Sequence, residues 1–390
     1  MDFFIVKCYM DRVLLFGGGL QVLSMARSLK ENGHYVDVMG EHNEVSCKCC
    51  FVERCYQCNL QEQTVGIFLD FISDKNYEIV IPMEDPYSDW LSKNKAEIEK
   101  LSAIKCAVMD WDIYQLASDK TRLLAFCESK GIPHPKTMLI DENLDVVAGK
   151  IGFPALVKPS HSNGARGIVK VDDIEQFKTI APKIKAKYGE CTLQEYIYTK
   201  DYYYNVMLYR CVDGKFANHC IIKILRYYPI KGGSSSLCMT VENERLLNIC
   251  KKTLNELQWI GFADLDLLEK SDGDYRLIEI NPRVPASVKA SAISGVNFAE
   301  IIVAGTLGRE IPKYVYQTGK YLRGIGLDIA WFIASPNRFR VKPSWFKFLG
   351  RDMYYMEGGW KDIKAMLMSI WIGIKKQMNP NFRKEKSGMN

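Results

Sequence analysis

Two apolar segments that carry carboxylates, residues 263–269 and 275–281, constrain the fold most strongly. The polar stretch 270–274 between them contains a glycine and predicts a hairpin turn that joins two strands. Burying a carboxylate beside leucine and isoleucine is costly unless the group is paired or binds a metal. We therefore expect a β-hairpin whose acidic side chains form a site. A solvated polar face on an edge hairpin is the alternative.

The acidic residues of this hairpin have the spacing of a metal site. Side chains at alternate strand positions share a face, so Glu279 and Asn281 project together and Asp266 faces them across the hairpin. Two carboxylates and an amide oxygen suit Mg²⁺, or Mn²⁺, that bridges phosphates. Arg283 follows at the edge of the predicted site, where a guanidinium can bind a carboxylate or a phosphate through two hydrogen bonds.

A second hairpin is predicted at residues 153–171, where one strand ends in Lys158 and another begins after a loop. The loop contains Gly164 and Gly167, and its backbone N–H groups can contact phosphate oxygens while Lys158 supplies a positive charge. It is not a Walker loop, because a strand follows it and the lysine precedes the glycines. A surface hairpin without a ligand is the alternative.

The next apolar strand, residues 192–197, is followed by an acid at Asp201. Its edge backbone is suited to an adenine base, and a carboxylate can accept hydrogen bonds from ribose hydroxyls. This signal is weak when it is taken alone.

These segments, in this order, resemble the ATP-grasp superfamily over residues 118–308. The resemblance implies ATP and Mg²⁺ as cofactors, with Lys120 and Lys158 near the phosphates and Asp201 at the ribose. It implies that Asp266, Glu279 and Asn281 bind the metal and that Arg283 lies near the transferred phosphate. The hinge that binds adenine matches Gln194, Glu195, Tyr196 and Ile197.

A basic stretch around residues 223–234 looks like the basic strand and glycine loop of carboxylate–amine ligases in this superfamily. The resemblance gives Lys223 and Arg226 a catalytic role, in which they neutralise the triphosphate or an acyl phosphate. A basic strand that faces solvent is the alternative.

The predicted fold has an α/β N-terminal domain with a doubly wound parallel sheet, because buried strands and amphipathic helices alternate there. The glycines at 17–19 fail the dinucleotide fingerprint, since Val22 stands where glycine or alanine is required. The resemblance makes this the pre-grasp domain, followed by α+β ATP-grasp domains and a basic, aromatic-rich tail. The predicted boundaries are 1–114 (pre-grasp), 115–200 (small ATP-binding subdomain), 201–312 (large subdomain with the metal site) and 313–390 (C-terminal extension).

The implied reaction phosphorylates a carboxylate with ATP, and an amine then attacks the acyl phosphate and releases phosphate. The substrates are a small-molecule carboxylate and an amine, with an amino acid or a cell-surface glycan precursor as candidates. Alternatives are a bicarbonate-phosphorylating carboxylase, an enzyme like carbamoyl-phosphate synthase, and a nucleotide-binding regulatory protein without catalysis. No covalent enzyme nucleophile is required.

Charge is concentrated at the C-terminus, where residues 313–390 hold 15 Lys and Arg against 5 Asp and Glu, within a chain whose formal net charge is +6. This asymmetry excludes a nucleic-acid coat and favours a local anionic partner. The apolar face at residues 363–374 fits peripheral membrane contact, and it fits packing on the protein itself or in a homodimer equally well. We expect a cytoplasmic protein, since the start lacks the pattern of a secretory signal.

The chain contains 13 cysteines, an odd number, and we expect reduced thiols. Five of them lie within residues 47–58, where Cys55 and Cys58 have the spacing of a zinc-binding pair. Small buried thiols are the favoured interpretation, and a structural zinc is the alternative.

Overall fold

The computed structural model describes residues 10–41, 44–141, 143–160, 167–199, 201–230, 232–271 and 273–378. Its strands form three sheets, which follow one another along the chain. Gly164, one of the predicted phosphate-binding glycines, lies outside the described residues.

The first sheet is parallel and has the strand order β3-β2-β1-β4-β5. Alternate residues of β1 enter two cores: Val13 and Leu15 pack with α1, while Leu14 and Phe16 pack with α2 and α3. The predicted parallel sheet with helices on both faces is therefore confirmed. Its elements are β1 (Arg12–Phe16), α1 (Leu20–Glu31), β2 (Tyr35–Gly40), β3 (Arg54–Gln57), α2 (Val65–Ile72), β4 (Ile79–Pro82), α3 (Asp85–Leu101) and β5 (Lys105–Cys106).

Two helices, α4 (Trp111–Ser118) and α5 (Lys120–Ser129), connect this sheet to a small antiparallel one. The small sheet has the order β6-β9-β7-β8 and is covered by α6 and α7, which bury Val147 and Phe177 against it. Its elements are β6 (Thr137–Leu139), α6 (Leu144–Ile151), β7 (Ala155–Pro159), β8 (Val169–Val171), α7 (Ile174–Tyr188) and β9 (Cys191–Glu195).

The third sheet has seven strands in the order β14-β13-β10-β11-β12-β15-β16. Along β10, Val206 and Leu208 enter a core with α8, while Met207 and Tyr209 pack with α10 on the other face. Its elements are β10 (Tyr203–Arg210), β11 (Phe216–Tyr228), β12 (Ser234–Val241), α8 (Glu244–Glu256), β13 (Gly261–Ser271), β14 (Asp274–Asn281), α9 (Lys289–Ile293), α10 (Phe298–Thr306), β15 (Tyr321–Arg323), α11 (Ile325–Ala334), β16 (Met353–Tyr355) and α12 (Ile363–Met378).

Part of the predicted C-terminal extension belongs to this sheet. β15 pairs with β12, and β16 pairs with β15. Among the described residues no single helix is both long and apolar enough to cross a membrane. The segments Ala286–Ile293 and Phe298–Thr306 reach that length and apolar character only when they are taken together, and they meet at a bend of 100°.

The expectation of reduced thiols was wrong at one pair, because Cys47 and Cys55 form a disulfide. The two residues lie on either side of the turn into β3, which brings their α-carbons to 5.5 Å from each other. That separation is typical of disulfides.

Candidate active site

The predicted acidic hairpin is present. Strands β13 and β14 pair antiparallel, with Asp266 opposite Glu279 and Asp264 opposite Asn281. The Asn281 amide nitrogen lies 3.4 Å from Oδ2 of each aspartate. The hairpin therefore brings three carboxylates and one amide to one face of the sheet.

The neighbouring strand adds a side chain that sequence analysis missed. Asn205 on β10 lies opposite Asp266, and its Nδ2 donates to Asp266 Oδ1 at 2.9 Å. Nothing in the sequence near Asn205 indicates this contact, because the two residues are 61 positions apart. Asp264, also missed, had a local signal: it precedes Asp266 by two positions and therefore shares its face.

Two lysines approach the hairpin from other elements. Lys120 is the first residue of α5, whose start Asp119 caps by accepting from Thr121 N and Arg122 N. The Lys120 Nζ lies 2.8 Å from Glu279 Oε2. Lys158, at the end of β7, donates to Gln194 Oε1 on β9.

The carboxylates have divergent proton affinities. Lys120 holds the pKa of Glu279 down at about 2. Burial raises the pKa of Asp264 to about 7. Burial, and then the charges of Glu279 and Asp264, raise the pKa of Asp266 well above its usual value. The cluster therefore has one carboxylate whose ionised form is stabilised by a lysine and two whose ionised forms are destabilised by burial.

The charged form of Lys158 is also disfavoured, which for a lysine means a lowered pKa. Burial, and then the nearby charge of Lys120, lower its pKa to about 8. Two cations near one another are stabilised by an anionic ligand, such as a phosphate.

The donor set suits a hard cation. Asp264 Oδ1 and Asn205 Oδ1 are buried and have no hydrogen-bond partner among the described residues. Such oxygens, with those of Asp266 and Glu279, are the ligands that Mg²⁺ prefers. No three His, Cys, Asp or Glu side chains in the described part of the chain are arranged as a ready metal site, however. Glu279 is instead paired with Lys120.

Arg283 connects the hairpin to the first sheet. Its Nε donates to Asp85 Oδ1 at 2.6 Å, and Asp85 begins α3. The adjacent Glu84 accepts from Gly18 N at 2.9 Å. Burial opposes the charge of Arg283, but Asp85, Asp264 and Glu279 outweigh it and raise the pKa of the guanidinium.

The structure does not bring the two predicted basic catalytic residues to the carboxylates. Lys223 pairs with Tyr204, next to Asn205, and therefore lies on the other face of the sheet, with its Nζ 3.5 Å from the ring centroid of Tyr202. Arg226 is buried, and its Nε lies 2.8 Å from Asp328 Oδ1. The catalytic role of these two side chains stays a prediction.

The residues predicted to bind adenine and ribose lie where the small sheet leads into the large one. Gln194 is buried beside Lys158, and Ile197 is also buried. Glu195 forms an ion pair with Lys270, near the end of β13, at 2.5 Å. Tyr196 is half-buried, and Asp201 is exposed with a left-handed φ of 55°.

Gly167 lies just before β8 in the β7–β8 hairpin and has a φ of 73°, a conformation that favours glycine. A Cβ at this position would approach Pro159 and Tyr188 to 2.9 Å. The close approach explains a glycine here whether or not the loop binds phosphate.

A family model described as ATP-grasp in the biosynthetic pathway with Ter operon matches residues 211–323. The D-aspartate ligase of Enterococcus faecium is 26% identical over 251 residues, which covers 59% of each chain. A D-alanine–D-alanine ligase of Pseudomonas entomophila is 26% identical over 215 residues, covering 48% of this chain and 63% of the ligase. The chain thus spans less than two thirds of the length of these two relatives.

The fold is similar to that of biotin carboxylase from Campylobacter jejuni, with a TM-score of 0.65 and 16% sequence identity. The match covers 80% of this chain and 75% of the carboxylase. The matching family model, the ligases that are similar in sequence and the carboxylase that is similar in fold are all ATP-grasp proteins, and this chain resembles them.

Proposed function

We propose that the protein is an ATP-dependent ligase that joins a carboxylate to an amine through an acyl phosphate and releases ADP and phosphate. One observation carries this proposal: the ion pair of Lys120 with Glu279 lies in the same cluster as Asp264, Asp266 and Asn281. Phosphoryl transfer depends on positioning and on offsetting negative charge, and this cluster supplies cations together with ligands for a further cation.

ATP and Mg²⁺ are the proposed cofactors. Asp266, Glu279 and Asn281 would hold the metal, and the buried oxygens of Asp264 and Asn205 add to that set. Bound there, Mg²⁺ would offset the charge of the phosphate oxygens.

The protein's own cations would position the nucleotide and the reacting groups. Lys120 and Lys158 would bind phosphate oxygens, and Arg283 would hold the acyl phosphate or the substrate carboxylate at the edge of the cluster. Gln194 to Ile197 would hold the adenine and Asp201 the ribose. The proposed domain boundaries stay at 1–114, 115–200, 201–312 and 313–390, although β15 and β16 attach part of the last segment to the large sheet.

An amino acid is the proposed class for one substrate. Support comes from the two curated relatives, whose names state D-aspartate and D-alanine. The first sheet is the proposed place for it, because Arg283 and Asp85 join the carboxyl end of β4 to the hairpin. Ligands of α/β sheets usually bind at the carboxyl ends of the strands.

The proposal is tested with ATP, Mg²⁺, hydroxylamine and a panel of amino acids and other carboxylates. Hydroxylamine traps an acyl phosphate as a hydroxamate, so the acid is identified without the natural amine. We expect Glu279→Gln to reduce hydroxamate formation by about 100-fold or more, since removing one electrostatic contact to the transferring group typically costs that much. The matched control Glu175→Gln, on the exposed face of α7, should retain full activity. Full activity of Glu279→Gln would contradict the assignment.

A further inference from the structure

The segment from Ile329 to Arg351 contains no acidic residue. Its basic residues are Arg338, Arg340, Lys342, Lys347 and Arg351. Most of the segment is a loop between α11 and β16, which we call the basic loop (residues 335–351). Asp352, the next residue, offsets part of this charge near Lys347 and Arg351, and the remaining cations give the segment a local positive field.

The same segment exposes large apolar side chains to solvent. Leu349 is 87% exposed, Ile333 72%, Phe339 69% and Phe346 60%. Isolated exposed apolar residues are ordinary on protein surfaces, but four within 17 positions beside five cations are not.

The basic loop is held in place rather than extended into solvent. Phe339 and Phe346 stack at 6.4 Å between ring centroids, and both contact Phe332 on α11. Arg226 Nη1 donates to Pro343 O at 3.2 Å, and Trp345 Nε1 donates to Asp328 O at 3.1 Å. These contacts present the apolar side chains as a preformed surface.

Helix α12 adds a second apolar row beside α11. Ile363, Leu367 and Trp371, spaced at four residues, are 43%, 58% and 64% exposed, while Ala365 and Ser369 are buried on the opposite face. An ideal Cβ at Gly326 would lie 3.7 Å from the Gly373 α-carbon, so the two helices cross closely there. Helix α11 therefore contacts both the basic loop and α12.

We propose that the basic loop, Ile333 of α11 and the exposed row of α12 form a surface that docks on an anionic membrane. Such a bilayer meets both requirements, because its head groups attract the cations and its acyl boundary receives the apolar side chains. The docking is peripheral. It does not depend on the ligase reaction.

Two other occupants fit less well. A second copy of the chain in a twofold contact would place like-charged segments against each other, which is unfavourable without acidic residues between them. Single-stranded nucleic acid would suit the cations and the aromatic rings, since bases stack on aromatic side chains. Binding of nucleic acid would not explain why the aliphatic side chains of Ile333, Leu349 and Leu367 are exposed.

Co-sedimentation of the full chain with vesicles tests the proposal. The vesicles are of phosphatidylcholine alone or of phosphatidylcholine with phosphatidylglycerol, at about 0.1 M salt, where the Debye length is roughly 10 Å. We expect binding only to the anionic vesicles. Replacing Arg340→Glu together with Lys342→Glu should weaken binding more than about tenfold, because each basic residue near an anionic surface adds about fivefold.

A second pair of substitutions removes the apolar contribution without touching the charge. Ile333→Ser together with Leu349→Ser should weaken binding by about tenfold or more, since both side chains lose burial in the acyl boundary. Matched controls lie elsewhere on the surface: Lys150→Glu with Lys183→Glu for charge, and Ile67→Ser with Val212→Ser for apolar exposure. Both controls should bind as the unmodified protein does, and circular dichroism checks the fold of every variant.

Failure to sediment with anionic vesicles would overturn the proposal, as would equal losses in the control variants. A dimer in solution that Ile333→Ser with Leu349→Ser dissociates, without vesicle binding, would make this surface a self-association interface instead. Binding to a single-stranded oligonucleotide but not to vesicles would also overturn it.

Discussion

At the residue scale, the Lys120–Glu279 ion pair offsets part of the cost of burying the carboxylates of the acidic hairpin. Lys120 keeps Glu279 ionised, while Asp264 and Asp266 are pushed towards their protonated forms by burial. Asn281 and Asn205 donate to the aspartates and reduce the cost of burying them.

The lowered pKa of Lys158, about 8, predicts a pH dependence of nucleotide binding. Phosphates bind the charged form of this lysine, which is largely lost as the pH rises from 7 to 9. We therefore expect the affinity for ATP, measured by titration calorimetry at constant Mg²⁺, to fall about tenfold over that range. Lys158→Arg keeps its charge throughout and should bind with little dependence on pH. An affinity that is constant in the unmodified protein would contradict this role.

At the element scale, the buried cluster of Arg226, Arg323 and Asp328 fastens α11 to strands β11 and β15. Asp328 is fully buried and lies within 2.8 Å of one guanidinium and 2.6 Å of the other. Arg226 therefore has a structural partner in Asp328.

Removing Asp328 would leave two buried guanidinium groups unpaired. We expect Asp328→Asn to lower the free energy of unfolding by about 3–5 kcal/mol, as measured by denaturant titration. The exposed ion pair of Asp352 with Lys320 is the matched control, and Asp352→Asn should cost less than about 1 kcal/mol. Similar small losses for both variants would show that the cluster does not hold α11 in place.

The hairpin and its carboxylates were predictable because their signal is local: alternation along two adjacent strands fixes which side chains meet. The partners of Lys223 and Arg226 were not. A shift of one residue in the pairing of β11 would move Lys223 to the other face of the sheet. The sequence of a single basic strand does not show how that strand is paired. Asp328 lies 102 positions from Arg226, so only the folded sheet brings them together.

At the scale of the whole molecule, the three sheets each contribute to one place. The small sheet supplies Lys158, the large sheet supplies Glu279 and its neighbours, and the first sheet supplies Asp85 through Arg283. This convergence suits a reaction that must hold a nucleotide, a carboxylate and an amine together. The sequence predicted the order of these segments along the chain but not the contacts between the sheets, because such contacts leave no periodic pattern in the sequence.

The central claim, that a substrate carboxylate becomes an acyl phosphate, is tested most directly by oxygen tracing. The carboxylate identified by the hydroxamate assay is labelled with ¹⁸O and incubated with the protein, ATP, Mg²⁺ and an amine. Attack of a carboxylate oxygen on the γ-phosphorus, followed by displacement by the amine, leaves that oxygen on the released phosphate. We predict inorganic phosphate that carries one ¹⁸O atom per product molecule formed. Phosphate without ¹⁸O, or label recovered in AMP, would contradict the account.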